Sequence, residues 1–227
     1  MATDFSGQKI AQYQLQERIK KHLSSSLYLA EDTKSQKKVF LEILHVSAEE
    51  DADQAGQFQR RMTTVSQLQH PGIAPVLYTS QTDEKRPYAV IKYTPGSPFD
   101  TQIATWRENN TWPDPIQAMH LIRHIADALA IAHPAGLIHY DLRPANILLQ
   151  PDGTPILVDI GTPILNIATK LNIQPDDNYH LDYASPEQQR GQTLTGPSNI
   201  YSLGIMLYEL LAGETPSVPI SQWSMGV

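Results

Sequence analysis

The apolar pattern of this chain changes period once, near residue 94, and that change calls for a fold in two parts. From residue 10 to about 93 the apolar residues fall in short strand-like runs: Tyr13/Leu15, Leu27–Ala30, Lys38–Ile43 and Tyr88–Ile91. One helix interrupts them, with Phe58, Met62, Val65 and Leu68 spaced by three and four, and it stops before His70-Pro71-Gly72. Beyond the Pro-bearing segment 93–98 the chain turns helical. Asp114 as N-cap, Pro115 at the first helical position and Gln117 at the third predict a capping box, with Ile116, Met119, Ile122, Ile125, Ala126 and Leu129 as the buried stripe. Ile147-Leu148-Leu149 and Ile156-Leu157-Val158 around Pro151-Asp152-Gly153 predict a small hairpin. A last helix is expected from about Ser198 to Ala212. Its Leu203, Ile205, Met206, Leu207, Leu210 and Leu211 leave it apolar on nearly every side, so it must be covered all round. The short tail that follows supplies little to cover it, apart from Trp223.

Charge narrows the partners. A net charge of −7 argues against a nucleic-acid or anionic-membrane surface, because either needs an excess of Lys and Arg. The absence of cysteine excludes disulfides and thiolate metal sites and fits a reducing compartment. The N-terminus lacks an apolar signal core and no run of about 18 apolar residues spans a membrane, so the expected location is cytoplasmic.

Several short motifs carry chemistry. His139-Tyr140-Asp141-Leu142-Arg143-Pro144-Ala145-Asn146 precedes Asp159-Ile160-Gly161, then Tyr183-Ala184-Ser185-Pro186-Glu187-Gln188 and Asn199-Ile200-Tyr201-Ser202-Leu203-Gly204. Singly each match is weak. In this order, with Pro87–Tyr93 as a hinge strand, they resemble the protein-kinase superfamily over residues 10 to 213, in the flavour of bacterial eukaryotic-like Ser/Thr kinases. The resemblance implies an α+β, two-lobed, protein-kinase-like fold. Residues 1–93 would form a β-rich N-lobe with one helix, 94–213 a helical C-lobe truncated after its central helix, and 214–227 a tail. It places Asp141 at the catalytic-base position and Arg143 where these kinases carry lysine. Asn146 and Asp159 stand at magnesium-ligand positions.

The departures fall where nucleotide chemistry needs the family pattern. The glycine-rich loop positions read Lys20, His22 and Ser25, whose side chains would block close backbone approach to phosphates, although Lys20 or Lys21 offers a compensating charge. Glu42 stands at the phosphate-gripping lysine. Like charges about 4 Å apart at an effective dielectric of about 20 repel by about 4 kcal/mol. Arg61 stands where the family has that lysine's glutamate partner, so the expected pair is reversed in sign. Phe40 aligns with the small residue that roofs the adenine site and would fill it. Tyr140 replaces an arginine and Ile160 a phenylalanine, while His180 and Asn199 replace threonine and aspartate. All four changes are expected to weaken substrate docking and anchoring.

The resemblance with these departures implies a catalytically inactive kinase-like domain that interacts with proteins or with other parts of a longer chain, with no cofactor expected. A homodimer contact through the last helix is a further expectation. The alternatives are a weak or atypical phosphotransferase, or a nucleotide sensor, working on MgATP through Asp141, Asn146 and Asp159 with a relocated lysine such as Lys20 or Lys92. The plain reading of Asp141, Asn146 and Asp159 is that they are structural relics, and that of Glu42 and Arg61 is two unrelated solvated charges. His22, His120, His124 and His133 read as surface or helix-face histidines. His120 and His124 are four apart with no acidic third ligand beside them in sequence.

Overall fold

Alternation in the first part of the chain builds a six-stranded antiparallel sheet. The structure, a computed structural model, describes residues 4–22, 24–160 and 181–216. The strands are β1 (Lys9–Ile10), β2 (Tyr13–Lys21), β3 (Ser25–Asp32), β4 (Lys37–Leu44), β5 (Val76–Gln81) and β6 (Pro87–Lys92), in the order β1-β2-β3-β4-β6-β5. The registers Tyr28↔Leu41 and Leu41↔Val90 set these three side chains in a row on one face. Tyr13, Leu15, Ala30, Val39, Ile43 and Tyr88 join them there, with Phe5 and Ile10 closing the cluster. Each Val, Leu, Ile or Phe among them, withdrawn from water, contributes about 1.5–3 kcal/mol. Because neighbours along a strand point to opposite faces, the other face carries Ser25, Leu27, Leu29, Phe40, Glu42, Leu44, Ala89 and Ile91.

The helix α1 (Ala52–Gln67) is capped by Asp51, whose Oδ1 accepts from the Gln54 N–H at 2.9 Å. It buries Phe58, Met62 and Val65, as its spacing predicts, and packs beside β5 and β6. Leu68 turns the backbone extended, three residues before Pro71.

The second part holds α2 (Phe99–Asn109), α3 (Pro115–Ala132), α4 (Pro186–Gln189) and α5 (Gly196–Ala212), with a small sheet of β7 (Ser97–Pro98), β8 (Ile147–Leu149) and β9 (Pro155–Leu157). The predicted capping box is present: Asp114 accepts from the N–H groups of Ile116 and Gln117, and Gln117 Oε1 accepts from Asp114 N. Of the described residues, 4–94 with Ile160 form one compact unit and 95–159 with 181–216 a second. No helix among them is long and apolar enough to cross a membrane.

Three sequence expectations need correction. The buried stripe of α3 runs through Ala118, Ile125, Ala128, Leu129 and Ala132, whereas Ile116 is 64% and Met119 52% exposed and Ile122 and Ala126 are half-buried. Alanines took the buried side because α5 and β9 pack close to α3, and size-based reading favours the larger residues. The last helix begins at Gly196, earlier than Ser198, since Thr195 and Ser198 form a second capping box that admits Gly196 and Pro197 to the first turn. That helix is not covered all round: Leu203, Ile205, Met206 and Leu210 are buried, but Ile200 and Leu211 are more than half exposed. His180 and Trp223 lie outside the described residues.

Gly96, at the entry to β7, lies close against the backbone of β8. A Cβ there would sit 2.6 Å from the Leu149 carbonyl oxygen. Gly96→Ala should therefore destabilise the chain by about 1–3 kcal/mol despite its exposed position, read as a lower urea midpoint at unchanged slope.

Candidate functional site

The residues singled out in sequence form two groups, one in each unit. In the sheet unit, β2 ends at Lys21 and β3 starts at Ser25, with the His22 N–H donating to the Ser25 carbonyl at 2.9 Å. The pairings Lys20↔Leu27 and Leu27↔Glu42 put Lys20, Leu27 and Glu42 in one row across three strands. Glu42 has no exposed surface, and Ser25 is equally buried. A carboxylate so far from water is costly unless opposite charge or hydrogen bonds meet it. His22 comes to it from the turn, with Nε2 at 3.9 Å from Glu42 Oε1 and a side chain only 12% exposed.

That contact corrects the reading of His22 as a surface histidine. Once protonated, its imidazolium is a cation for Glu42. A whole hairpin separates the two in sequence, so no local spacing could have paired them. Arg61 sits on the buried side of α1, three residues after Phe58 and four before Val65, and is itself half-buried. Phe40 is half-buried opposite Leu29 and Ile91, with its ring 5.2 Å from that of Tyr93, over which Lys38 Nζ lies at 5.7 Å.

In the helical unit the loop residues converge on Asp141. Arg143 Nε donates to Asp141 Oδ2 at 2.9 Å, and Asn146 Nδ2 donates to the same oxygen at 2.8 Å and to the Asp141 carbonyl at 2.6 Å. Oδ1 accepts nothing from a described residue. His139 fixes the start of the loop. Its Nε2 meets the Val158 carbonyl at 2.9 Å and its Nδ1 receives the Asp141 N–H at 3.3 Å. A carbonyl can only accept and an amide N–H only donate, so this geometry assigns the neutral Nε2–H tautomer. Asp159 follows with φ +65°, a left-handed conformation that aspartate tolerates better than most residues.

The loop hangs on Asn199 of α5, which is 2% exposed. Its Nδ2 donates to the His139 carbonyl at 2.6 Å, and its Oδ1 accepts from His139 N and from His133 Nε2, both at 3.0 Å. The asparagine expected to weaken this anchor makes these three bonds, its amide serving as donor and acceptor at once. His133 is likewise part of the anchor, not a bystander. Gln188 Nε2 holds the Tyr140 carbonyl at 2.9 Å, and Ser198 Oγ donates to Glu187, keeping that carboxyl below its ordinary range.

A further buried group escaped the sequence reading. Glu209, 2% exposed, accepts from Arg107 Nη2 at 2.8 Å and from Tyr183 Oη at 2.5 Å. Its signal was available, as a lone acid inside the apolar run Leu207–Leu211. Burial, then the bond to Glu209, pushes the Tyr183 phenol far above its ordinary value of 10.0.

Comparison with known proteins adds identity to this geometry. The family model described as "Protein kinase domain" matches residues 13–224. Serine/threonine-protein kinase PrkC of Bacillus subtilis is 31% identical over 192 residues, covering 85% of this chain and 29% of its own. Serine/threonine-protein kinase PknB of Mycobacterium leprae is 29% identical over 205 residues, covering 86% and 31%. The chain thus spans about three-tenths of the length of these curated relatives. The crystal structure of the Mycobacterium tuberculosis PknI kinase domain superposes with a TM-score of 0.67 at 24% identity, over 93% of this chain and 78% of that one. This match establishes the fold: a curled antiparallel sheet with one helix, followed by a helical part.

Two outcomes follow from the anchors. Asn199→Ala leaves His139 N and O unmet in a buried place and should lower stability by about 1–3 kcal/mol in urea unfolding. A raised phenol stabilises the fold fully below the unfolded value near 10.0, and that stability drains away as pH climbs past it. Tyr183→Phe should flatten the alkaline fall of the unfolding midpoint.

Proposed function

We propose that this chain, which belongs to the protein kinase family, is a pseudokinase: a domain that transfers no phosphate and instead binds or regulates another protein or another part of a longer chain. The observation that carries the reading is Glu42, wholly buried on β4 at the position where the resemblance puts the phosphate-gripping lysine, with His22 as a neighbour. An anion there opposes the nucleotide's own charge. Ser25, buried at the start of β3, and Phe40, held against Tyr93, add side chains at positions where the family keeps backbone or small residues. The residues of the sheet unit therefore do not fit a nucleotide triphosphate.

Asn146 and Asp159 supply hard oxygen donors of the kind magnesium takes. Asp141, held through one oxygen by Arg143 and Asn146 while the other accepts nothing from a described residue, is the observation that favours a second reading, a weak phosphotransferase or nucleotide sensor with Lys20 or Lys92 as the relocated cation. For the first reading, partner binding falls to surfaces such as the exposed side of α5, where Ile200 and Leu211 stand in solvent; a homodimer through that side is one form it takes.

Thermal unfolding with millimolar MgATP separates the readings. The wild-type chain should show no rise in its midpoint, whereas Phe40→Ala/Glu42→Lys, which restores space and positive charge, should gain several degrees once ligand exceeds its dissociation constant about 100-fold. A clear rise in the wild type overturns the pseudokinase reading and puts the second in its place.

A further inference from the structure

Away from both groups the helical unit contains a cavity of about 1030 Å³, open to solvent, between α2, the first turns of α3 and the β8–β9 turn. Small-molecule pockets span about 300–1,000 Å³, so an open site of this size suits a run of polypeptide better than a compact ligand. Its walls are apolar, with Trp106, Pro113, Ile116 and Leu121 from the helical side and Leu149 and Pro155 from the small sheet. Ile116, large and apolar, is left 64% exposed there. Both walls stand without a ligand. Trp106 is flanked by Phe99, edge-on at 6.0 Å, and by Trp112 at 6.4 Å. The turn opposite is closed by the Gln150 N–H on the Thr154 carbonyl at 3.0 Å and by the Thr154 N–H on Asp152 Oδ1 at 2.9 Å. A groove formed in advance lowers the ordering cost of binding.

Charge selects the segment that fits. Residues 1–94 carry 11 acidic and 12 basic side chains and residues 95–227 carry 13 and 5, so the negative charge of the chain resides in its second part. No Lys or Arg lines the cavity. The arginines of the two helices beside it are engaged with carboxylates, Arg107 on Glu209 at 2.8 Å and Arg123 on Asp127 at 3.5 Å. Two exposed carboxylates mark the rim: Asp152 in the β8–β9 turn, and Asp114 at the N-cap of α3, flanked in sequence by the lining residues Pro113 and Ile116. The Thr154 N–H first, and the charge of His124 last, keep Asp152 below the ordinary carboxylate range, so it is ionised at neutral pH.

We infer that this cavity docks a short segment of a partner protein in which apolar side chains stand beside Lys or Arg. The apolar residues cover Ile116 and Trp106, the cations meet Asp114 and Asp152, and acidic segments are turned away by like charge. The inference goes beyond the pseudokinase reading and does not rest on it. It uses neither the Glu42 group nor the Asp141 group, and a chain that transferred phosphate would keep the same groove.

Panning a phage-displayed library of random short peptides on the full chain, then measuring the synthetic winners by fluorescence polarisation, tests it. The recovered sequences should be rich in Leu, Ile or Pro next to Lys or Arg. Ile116→Ser, at an exposed position, should weaken their binding about tenfold. Asp114→Asn/Asp152→Asn keeps both side-chain acceptors but removes their charge, and should weaken binding about tenfold at low salt and less at high salt. Ile200→Ser, on the exposed side of α5, should change nothing, which separates this groove from that surface. Circular dichroism and unfolding midpoints should match the wild type for all variants, separating lost contacts from lost fold. No recovered peptide, recovery of acidic or uncharged peptides only, or affinities that survive both rim variants would each overturn the site. So would a dimer in sedimentation velocity that Ile116→Ser abolishes, since a second copy then fills the groove.

Discussion

A single buried amide holds the helical unit in its working shape. Asn199 takes both backbone groups of His139 and the ring of His133, so the end of α3, the start of the Asp141 loop and α5 meet at one side chain. From there the order passes outward. His139 braces Val158 through one ring nitrogen and the Asp141 amide through the other, and Asp141 gathers Arg143 and Asn146. Each bond lies in a poorly solvated place, where an unmet partner costs more than a made bond gains, so the network is strong against partial loss.

The sheet unit presents the opposite case. Its framework is that of the protein kinase family, with a core drawn from one face of β2, β3, β4 and β6, yet the other face carries Glu42 at a place of full burial. Burying a carboxylate opposes folding, and a neighbouring imidazole at 3.9 Å offsets it only when charged. Glu42 thus gives that face of the sheet unit an internal contact with His22, while in the helical unit the loop is held by hydrogen bonds around Asp141.

Much of this was legible in the chain. Alternation located β2, β3, β4 and β6, the spacing of Phe58, Met62 and Val65 located α1, and the Asp114 capping box marked the start of α3, because these signals are local. The motif order carried the family. The α3 stripe was misread in its first turns, since burial there depends on where β9 and α5 lie, which no window of sequence contains. Short elements such as β1 and β7, two residues each, leave no periodicity to find. At the sites, residue types were visible but partners were not: His22 with Glu42, His133 with Asn199, Asp152 near His124 and Arg107 with Glu209 are pairings across turns or between distant helices.

The choice of an amide at position 199 has one more consequence. A planar carboxamide carries its donor and acceptor on opposite edges of one group, so turning it over sets donor against donor and acceptor against acceptor at both backbone groups of His139 together. The attachment of the Asp141 loop to α5 therefore has a direction, read by the polarity of one peptide segment.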